Sequence, residues 1–102
     1  MLLMVTTSYP LKGTFEVGKV FVKALENPMP HVNEIGMWIT YGGDGITNYS
    51  VLELEEGHED EASKALVSYF IPFYNIEGFK VEILPVLKPE DVLPLIGITP
   101  PA

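Results

Sequence analysis

Residues 34–55 decide the fold of this chain, and they read EIGMWITYGGDGITNYSVLELE. Two segments rich in apolar and β-branched residues, 34–41 and 47–55, flank a glycine-rich connection at residues 42–45. Glycine and aspartate at that connection supply the positive φ angles that a tight turn between antiparallel strands needs. The stretch therefore predicts a β-hairpin in the middle of the chain.

Further elements are predicted on both sides of this hairpin. Residues 2–9 predict a strand that ends at Pro10, and residues 14–25 predict a helix capped by Thr14. After the hairpin, the sequence predicts a helix over 58–70, a strand over 79–86 and a short helix that begins near Pro89. The order β-α-β-β-α-β is that of a ferredoxin-like α+β fold with an antiparallel sheet. We expect one domain over residues 1–98 and a loose C-terminal tail over 99–102.

Composition limits the classes of partner. The chain has 102 residues, with 6 Lys and Arg against 14 Asp and Glu, which gives a net charge of −8 at neutral pH. Nucleic acids and anionic membranes bind clustered basic residues, so neither is expected as a partner. The chain contains no cysteine, which excludes disulfides, iron–sulfur clusters and cysteine-ligated zinc.

Targeting signals are not evident in the sequence. Residues 1–6 are apolar but have no basic segment before them, and they are too few for a signal peptide. The most apolar later stretch, 66–76, is shorter than the roughly 20 residues that cross a bilayer. The expected location is therefore cytoplasmic.

Alternation of side chains divides each predicted strand between two faces of the sheet. Both helices of a ferredoxin-like domain cover one face, and Met37 and Ile39 are predicted to point towards them. The opposite, open face would carry six large apolar residues, namely Met4, Trp38, Tyr49, Val51, Leu84 and Val86. Apolar patches of that size are rarely left in water. The pattern therefore predicts a homodimer in which two open faces pack together and residues 92–98 lie across the partner.

Several motifs point to a known class of proteins. They are the opening run 1–6, Tyr9-Pro10, Gly36-Met37-Trp38, Gly42-Gly43 and the run 79–87. With these motifs the chain resembles small uncharacterised bacterial proteins of the dimeric α+β barrel class. That class includes cofactor-independent monooxygenases, haem-degrading enzymes, isomerases and ligand-sensing domains, so the resemblance implies a dimeric barrel without implying one activity. Neither histidine falls on a predicted barrel strand, and no cofactor is expected.

A cavity on the open face is the predicted ligand site. Its expected lining is Thr6, Trp38, Thr40, Tyr49 and Glu53. Small-molecule pockets are mostly apolar with a few polar groups, so the predicted function is binding of a small apolar or aromatic molecule. The alternatives are a cofactor-independent monooxygenase or isomerase, and an assembly module in which the same aromatic residues form the dimer core without a ligand.

Three residues are candidates for proton transfer. A carboxylate desolvated beside aromatic rings, as expected for Glu53 and Glu82, can act as a general acid or base. His31 could enter the mouth of the barrel, although a histidine in a surface loop is the simpler interpretation. The acidic residues at 59–61 are explained by the positive end of a helix dipole, and no metal site is expected there.

Overall fold

The computed structural model describes residues 1–99, and its elements follow the predicted order. The strands are β1 (Leu2–Tyr9), β2 (Val32–Gly42), β3 (Gly45–Leu54) and β4 (Lys80–Val86). The α-helices are α1 (Thr14–Ala24), α2 (Glu59–Phe70) and α3 (Pro89–Val92), with 3-10 turns at Leu11–Gly13, Ile71–Asn75 and Leu93–Ile96. The ferredoxin-like α+β prediction is confirmed. All but the first residue of the predicted tail, 99–102, lies outside the described residues.

The four strands form one antiparallel sheet in the order β2-β3-β1-β4. The predicted hairpin joins β2 to β3, with Gly42 opposite Gly45 at its turn. Gly45 has φ +148°, and a Cβ there would lie 2.4 Å from the Tyr9 carbonyl oxygen. Only glycine fits this position without moving the backbone, because β1 ends directly against the turn.

The register confirms the predicted division of the strands into two faces. On the helix-covered face, Val5 of β1 lies opposite Ser50 on one side and Ile83 on the other. On the open face, Thr6 lies opposite Tyr49 and Glu82. The bulge between Glu34 and Gly36 in β2 leaves the alternation of the following residues intact.

The core lies between the sheet and α2. Buried residues of α2 recur every fourth position, at Ala62, Leu66 and Phe70, so that one stripe of the helix faces the sheet. Helix α1 buries only Val17. The remaining buried apolar residues are Leu3, Val5, Tyr9, Leu52, Leu54, Phe73 and Ile76. One helix therefore packs tightly on the sheet while the other stands farther from it.

Residues 87–99, which we call the C-terminal arm, extend away from this core. Leu95 is 78% exposed and Ile96 is 66% exposed. The radius of gyration is 16.0 Å, whereas a compact chain of this length has about 13 Å. Within residues 1–99, no helix has the length and apolar character that crossing a bilayer requires.

Candidate functional site

A cavity of about 240 Å³ lies between the helix-covered face of the sheet and the two long helices. It forms where α1 stands away from the sheet, beside Val17, Gly18 and Phe21. An engineered apolar cavity of about 150 Å³ admits benzene. The volume here therefore suits a molecule built on one substituted aromatic ring.

Aromatic side chains form one wall of the cavity. The rings of Phe73 and Phe79 stack with centroids 5.1 Å apart, and Tyr69 meets Phe70 edge-on at 5.0 Å. The chain can place them together because Pro72 follows the end of α2 and lies in a 3-10 turn that carries Phe73 back beneath the helix. Phe70 and Phe73 of this aromatic run are both buried and so belong to the core as well as to the cavity wall.

Polar groups line the opposite wall. Thr7, Asn48 and Ser50 come from the sheet, and Glu34 comes from the edge strand β2. The Asn48 side-chain oxygen, Oδ1, is buried and makes no hydrogen bond within the part of the chain that the structure describes. A buried acceptor without a donor is costly, so a donor on a bound molecule would be stabilised there.

Tyr69 is the titratable aromatic residue of the cavity. Burial raises the pKa of its phenol, and the negative charge of Glu34 raises that pKa further. Tyr69 therefore stays protonated at neutral pH and can donate a hydrogen bond. A phenol and a carboxylate thus face the same apolar space.

The cavity opens towards the β2 edge of the sheet. Met37 and Ile39 lie on the helix-covered face and line the cavity, yet they are 37% and 55% exposed. The helices therefore leave this edge uncovered, and a ligand can enter beside β2.

The residues predicted to bind a ligand lie on the other side of the sheet. Trp38 and Thr6 both lie opposite Tyr49, so these three form a continuous patch. Thr40 lies next to it, with its hydroxyl donating to the Thr47 carbonyl oxygen at 3.4 Å. As a ligand site this face stays a prediction, because its second wall would have to come from another chain. The cavity within one chain is on the opposite face from the one predicted.

The structure does not bring the candidate carboxylates together. Glu53 lies opposite Leu2, whereas Glu82 lies opposite Thr6, four residues farther along β1 and on its other side. Both side chains are exposed. Both lie on the open face, as predicted, but Glu53 sits near one end of β1. Their role in proton transfer stays a prediction.

His31 lies in a cluster with Glu55, His58 and Glu61. The His31 Nδ1 lies 2.6 Å from a Glu55 carboxylate oxygen, and its Nε2 lies 3.3 Å from Glu61 Oε2. The second oxygen of Glu61 lies 3.6 Å from His58 Nδ1. The two imidazole rings stack with centroids 3.9 Å apart.

The hairpin register and a turn build this cluster. His31 precedes β2 and Glu55 follows β3, and the Glu55 N–H donates to the His31 carbonyl oxygen at 2.9 Å. His31 has φ +62°, a left-handed conformation that few residues other than glycine adopt. Gly57, with φ +86°, then turns the chain so that His58, the N-cap residue of α2, lies beside His31.

Charge in the cluster shifts two pKa values. The hydrogen bond from His31 to Glu55 raises the pKa of the imidazole, and the charges of Glu55 and Glu61 add to that effect. The same hydrogen bond lowers the pKa of the Glu55 carboxyl. The pair is therefore most strongly held when His31 is protonated and Glu55 is ionised.

This cluster was not predicted from the sequence. The helix dipole explained the acidic residues at 59–61, yet His58 and Glu59 are half-buried and His58 Nδ1 has no hydrogen-bond partner in the described chain. Consecutive helix residues do point apart, but His58 and Glu61 are three apart and share a face. That spacing, combined with the hairpin register that sets His31 beside Glu55, was the available signal.

Comparison with known proteins shows that this chain resembles several solved structures in fold. No protein-family model matches the sequence, and no curated protein matches it either. The cofactor-independent oxygenase SnoaB from Streptomyces nogalater superposes with a TM-score of 0.52 and 9% identity, over 85% of this chain and 93% of that one. The C-terminal domain of MgtC from Mycobacterium tuberculosis gives 0.51 and 14%, over 81% and 84%.

A formyltetrahydrofolate deformylase from Pseudomonas putida gives a TM-score of 0.55 and 9% identity, over 84% of this chain and 29% of that one. Proteins with different names thus share one backbone arrangement. A fold of this kind does not by itself specify an activity. What they share with this chain is a ferredoxin-like α+β domain.

Proposed function

We propose that this protein is a homodimer that binds a small aromatic molecule in the cavity between its sheet and helices. The observation that carries the proposal is the combination of an aromatic wall with Asn48 Oδ1, a buried acceptor that has no hydrogen bond within residues 1–99. Apolar burial supplies affinity for a ring, and a few polar groups orient it. A phenol or aryl amine, which has both a ring and a hydrogen-bond donor, fits this chemistry best.

Dimerisation is part of the proposal because of the open face of the sheet. On that face Trp38 is 59% exposed and Leu84 is 50% exposed. The C-terminal arm continues directly from β4 and adds the exposed side chains of Leu95 and Ile96. A second copy of the chain offers the same apolar face and arm, so a two-fold arrangement covers both at once.

An enzymatic alternative rests on Glu34 and Tyr69. A carboxylate that shares an apolar cavity with a phenol can accept a proton from the bound molecule while the phenol donates a hydrogen bond to the anion that forms. The fold is shared with the cofactor-independent oxygenase SnoaB. In this alternative, the Glu34→Gln variant keeps ligand binding and loses turnover.

Binding is tested with one-ring phenols and anilines by ligand-observed NMR and by isothermal titration calorimetry. The variant Ser50→Leu fills the cavity from the sheet, because Ser50 is buried and lines it. We expect wild type to bind at least one member of the series and Ser50→Leu to lose at least about tenfold in affinity, or about 1.4 kcal/mol.

The matched control is Ser63→Leu, which makes the same chemical change at an exposed position of α2. It should bind like wild type. Equal binding by Ser50→Leu and wild type would show that the ligand is held elsewhere, and the open face around Trp38 would then be the next site to test.

A further inference from the structure

Two histidines and a glutamate converge at the start of α2, away from the cavity. Each of His31, His58 and Glu61 offers one donor atom, and these three atoms lie within 4.8 Å of one another. Glu61 Oε2 is 3.3 Å from His31 Nε2, and Glu61 Oε1 is 3.6 Å from His58 Nδ1. Donors bound to one tetrahedral zinc ion, at about 2.0–2.2 Å each, lie about 3.3–3.6 Å apart. The two distances from Glu61 to the imidazoles fall in this range, each from a different carboxylate oxygen.

Glu55 prepares His31 for this role. Its carboxylate accepts the Nδ1–H of His31 at 2.6 Å, so that in the neutral imidazole the lone pair of Nε2 is directed towards Glu61. A carboxylate behind a metal-binding imidazole fixes the tautomer and ring orientation in the same way in many zinc proteins. The pairing is held by the backbone, because the Glu55 N–H also donates to the His31 carbonyl oxygen.

His58 supplies an independent observation. Its Nδ1 atom is buried and makes no hydrogen bond within residues 1–99, although the ring itself is partly exposed. Polar atoms buried without a partner are uncommon and cost free energy. Glu61 Oε1 lies 3.6 Å from this atom, so a cation placed between them would satisfy both.

We propose that His31, His58 and Glu61 form a binding site for a divalent transition metal of the zinc type, with Glu55 as the positioning residue behind His31. Imidazole nitrogen and carboxylate oxygen are ligands that zinc accepts readily. Three protein donors leave a fourth position for water or another ligand. A bound metal would join the open end of the β2–β3 hairpin to the first turn of α2.

Binding requires a movement of one ring. The two imidazole planes are only 6° from parallel, and each ring nitrogen directs its lone pair within its own plane. Parallel rings cannot both point at one ion, so His58 has to turn towards Glu61 when the metal binds. The stacking between the two rings is then lost.

The test uses tag-free protein, Zn²⁺ for calorimetry and Co²⁺ for visible spectroscopy. The chain has two histidines and no cysteine, so imidazole coordination can come only from His31 and His58. We expect one metal per chain with a Kd of about 1 µM or tighter, and a Co²⁺ d–d spectrum of low coordination number. His31→Ala and His58→Ala should abolish that spectrum, and Glu55→Gln should weaken binding by about 10- to 100-fold.

Asp60→Asn is the matched control, since it removes one negative charge from the same helical turn without removing a proposed ligand. It should bind zinc within about threefold of wild type, as expected for a change in exposed charge. Equal metal binding by wild type and the His31→Ala/His58→Ala double variant would overturn the proposal, as would no binding to wild type at submillimolar zinc.

A further test uses the wild-type protein alone, so it does not depend on whether a variant folds. In ¹⁵N-edited NMR of the imidazole groups, Zn²⁺ should shift Nε2 of His31 and Nδ1 of His58, and the ring-current shifts caused by the stacked rings should disappear. Imidazole signals that stay unchanged at a zinc concentration where calorimetry shows binding would refute the assignment of ligands.

Discussion

Trp38→Ala tests whether the open face of the sheet is a dimer interface. Trp38 lies on β2 above Gly36, where a Cβ would come within 2.5 Å of the indole ring. The ring therefore lies flat across the strand, and 59% of the residue is exposed in the single chain. A flat, exposed indole at the middle of an apolar face would be covered almost completely by a second copy of the sheet.

The expected effect follows from the area available for burial. A tryptophan buries up to about 250 Å², so the exposed 59% of Trp38 corresponds to about 150 Å². At about 25 cal/mol per Å² this area is worth about 3.7 kcal/mol per subunit as an upper bound. Alanine retains part of the contact, so the expected loss is about 2–3 kcal/mol per subunit and about 4–6 kcal/mol per dimer. The dimer Kd should rise by about 700- to 20,000-fold.

Sedimentation equilibrium over nanomolar to submillimolar concentrations measures this Kd directly. The control is Phe15→Ala, because Phe15 is 83% exposed on α1, away from the open face. It should leave the Kd unchanged. A wild-type protein that stays monomeric at the highest concentration, or a Trp38→Ala protein that dimerises as tightly as wild type, would refute the reasoning.

Three further predictions concern stability and titration. Leu54 is the most deeply buried large side chain, at 1% exposed. Leu54→Ala should lower the free energy of unfolding by about 2–5 kcal/mol, measured by urea denaturation at fixed protein concentration. A loss under about 1 kcal/mol would contradict the described core. Gly18→Ala should stabilise the protein by about 0.5–1 kcal/mol, because Gly18 lies within α1 and a Cβ there meets nothing within 4 Å. Gly45→Ala should destabilise it by about 2–3 kcal/mol, because Gly45 has a positive φ and a Cβ there would clash with Tyr9. In metal-free protein followed by NMR, the pKa of His31 should lie above its ordinary value and should fall in Glu55→Gln. Because the folded-state pKa is raised, the stabilisation from protonated His31 is present at mildly acidic pH and is lost as the pH rises through that pKa; a His31 pKa unaffected by Glu55→Gln would contradict the pairing.

The elements and faces of the sheet were predictable because they depend on local patterns. Alternation of side chains along residues 47–55 places Ser50 and Leu52 on one face of the sheet and Tyr49 on the other, independently of where the helices pack. The observed strand register agrees with this division. The cavity was not predictable in this way. Its position depends on how far α1 stands from the sheet, which is a matter of side-chain volume across two elements, and periodicity within one element carries no such information.

The histidine cluster was hidden for a different reason. It requires residues from positions 31, 55, 58 and 61 to meet, and their meeting depends on the hairpin register and on the left-handed backbone at His31 and Gly57. A proline-rich loop before His31 gave no sign that this residue would adopt φ +62°. The local sequence pattern therefore identified these histidines and glutamates only as separate surface residues.

The position of β1 in the sheet has a consequence for how the chain folds. It lies between β3 and β4, so one side of the N-terminal strand is completed by residues 45–54 and the other only by residues 80–86. The β2–β3 hairpin is local and can form in microseconds, but pairing β1 with β4 closes a loop of most of the chain, which slows folding. During synthesis, β1 remains an edge strand until β4 has emerged from the ribosome, and exposed edges of apolar strands promote aggregation. A chain that ends before residue 80 should therefore aggregate even though it contains both long helices.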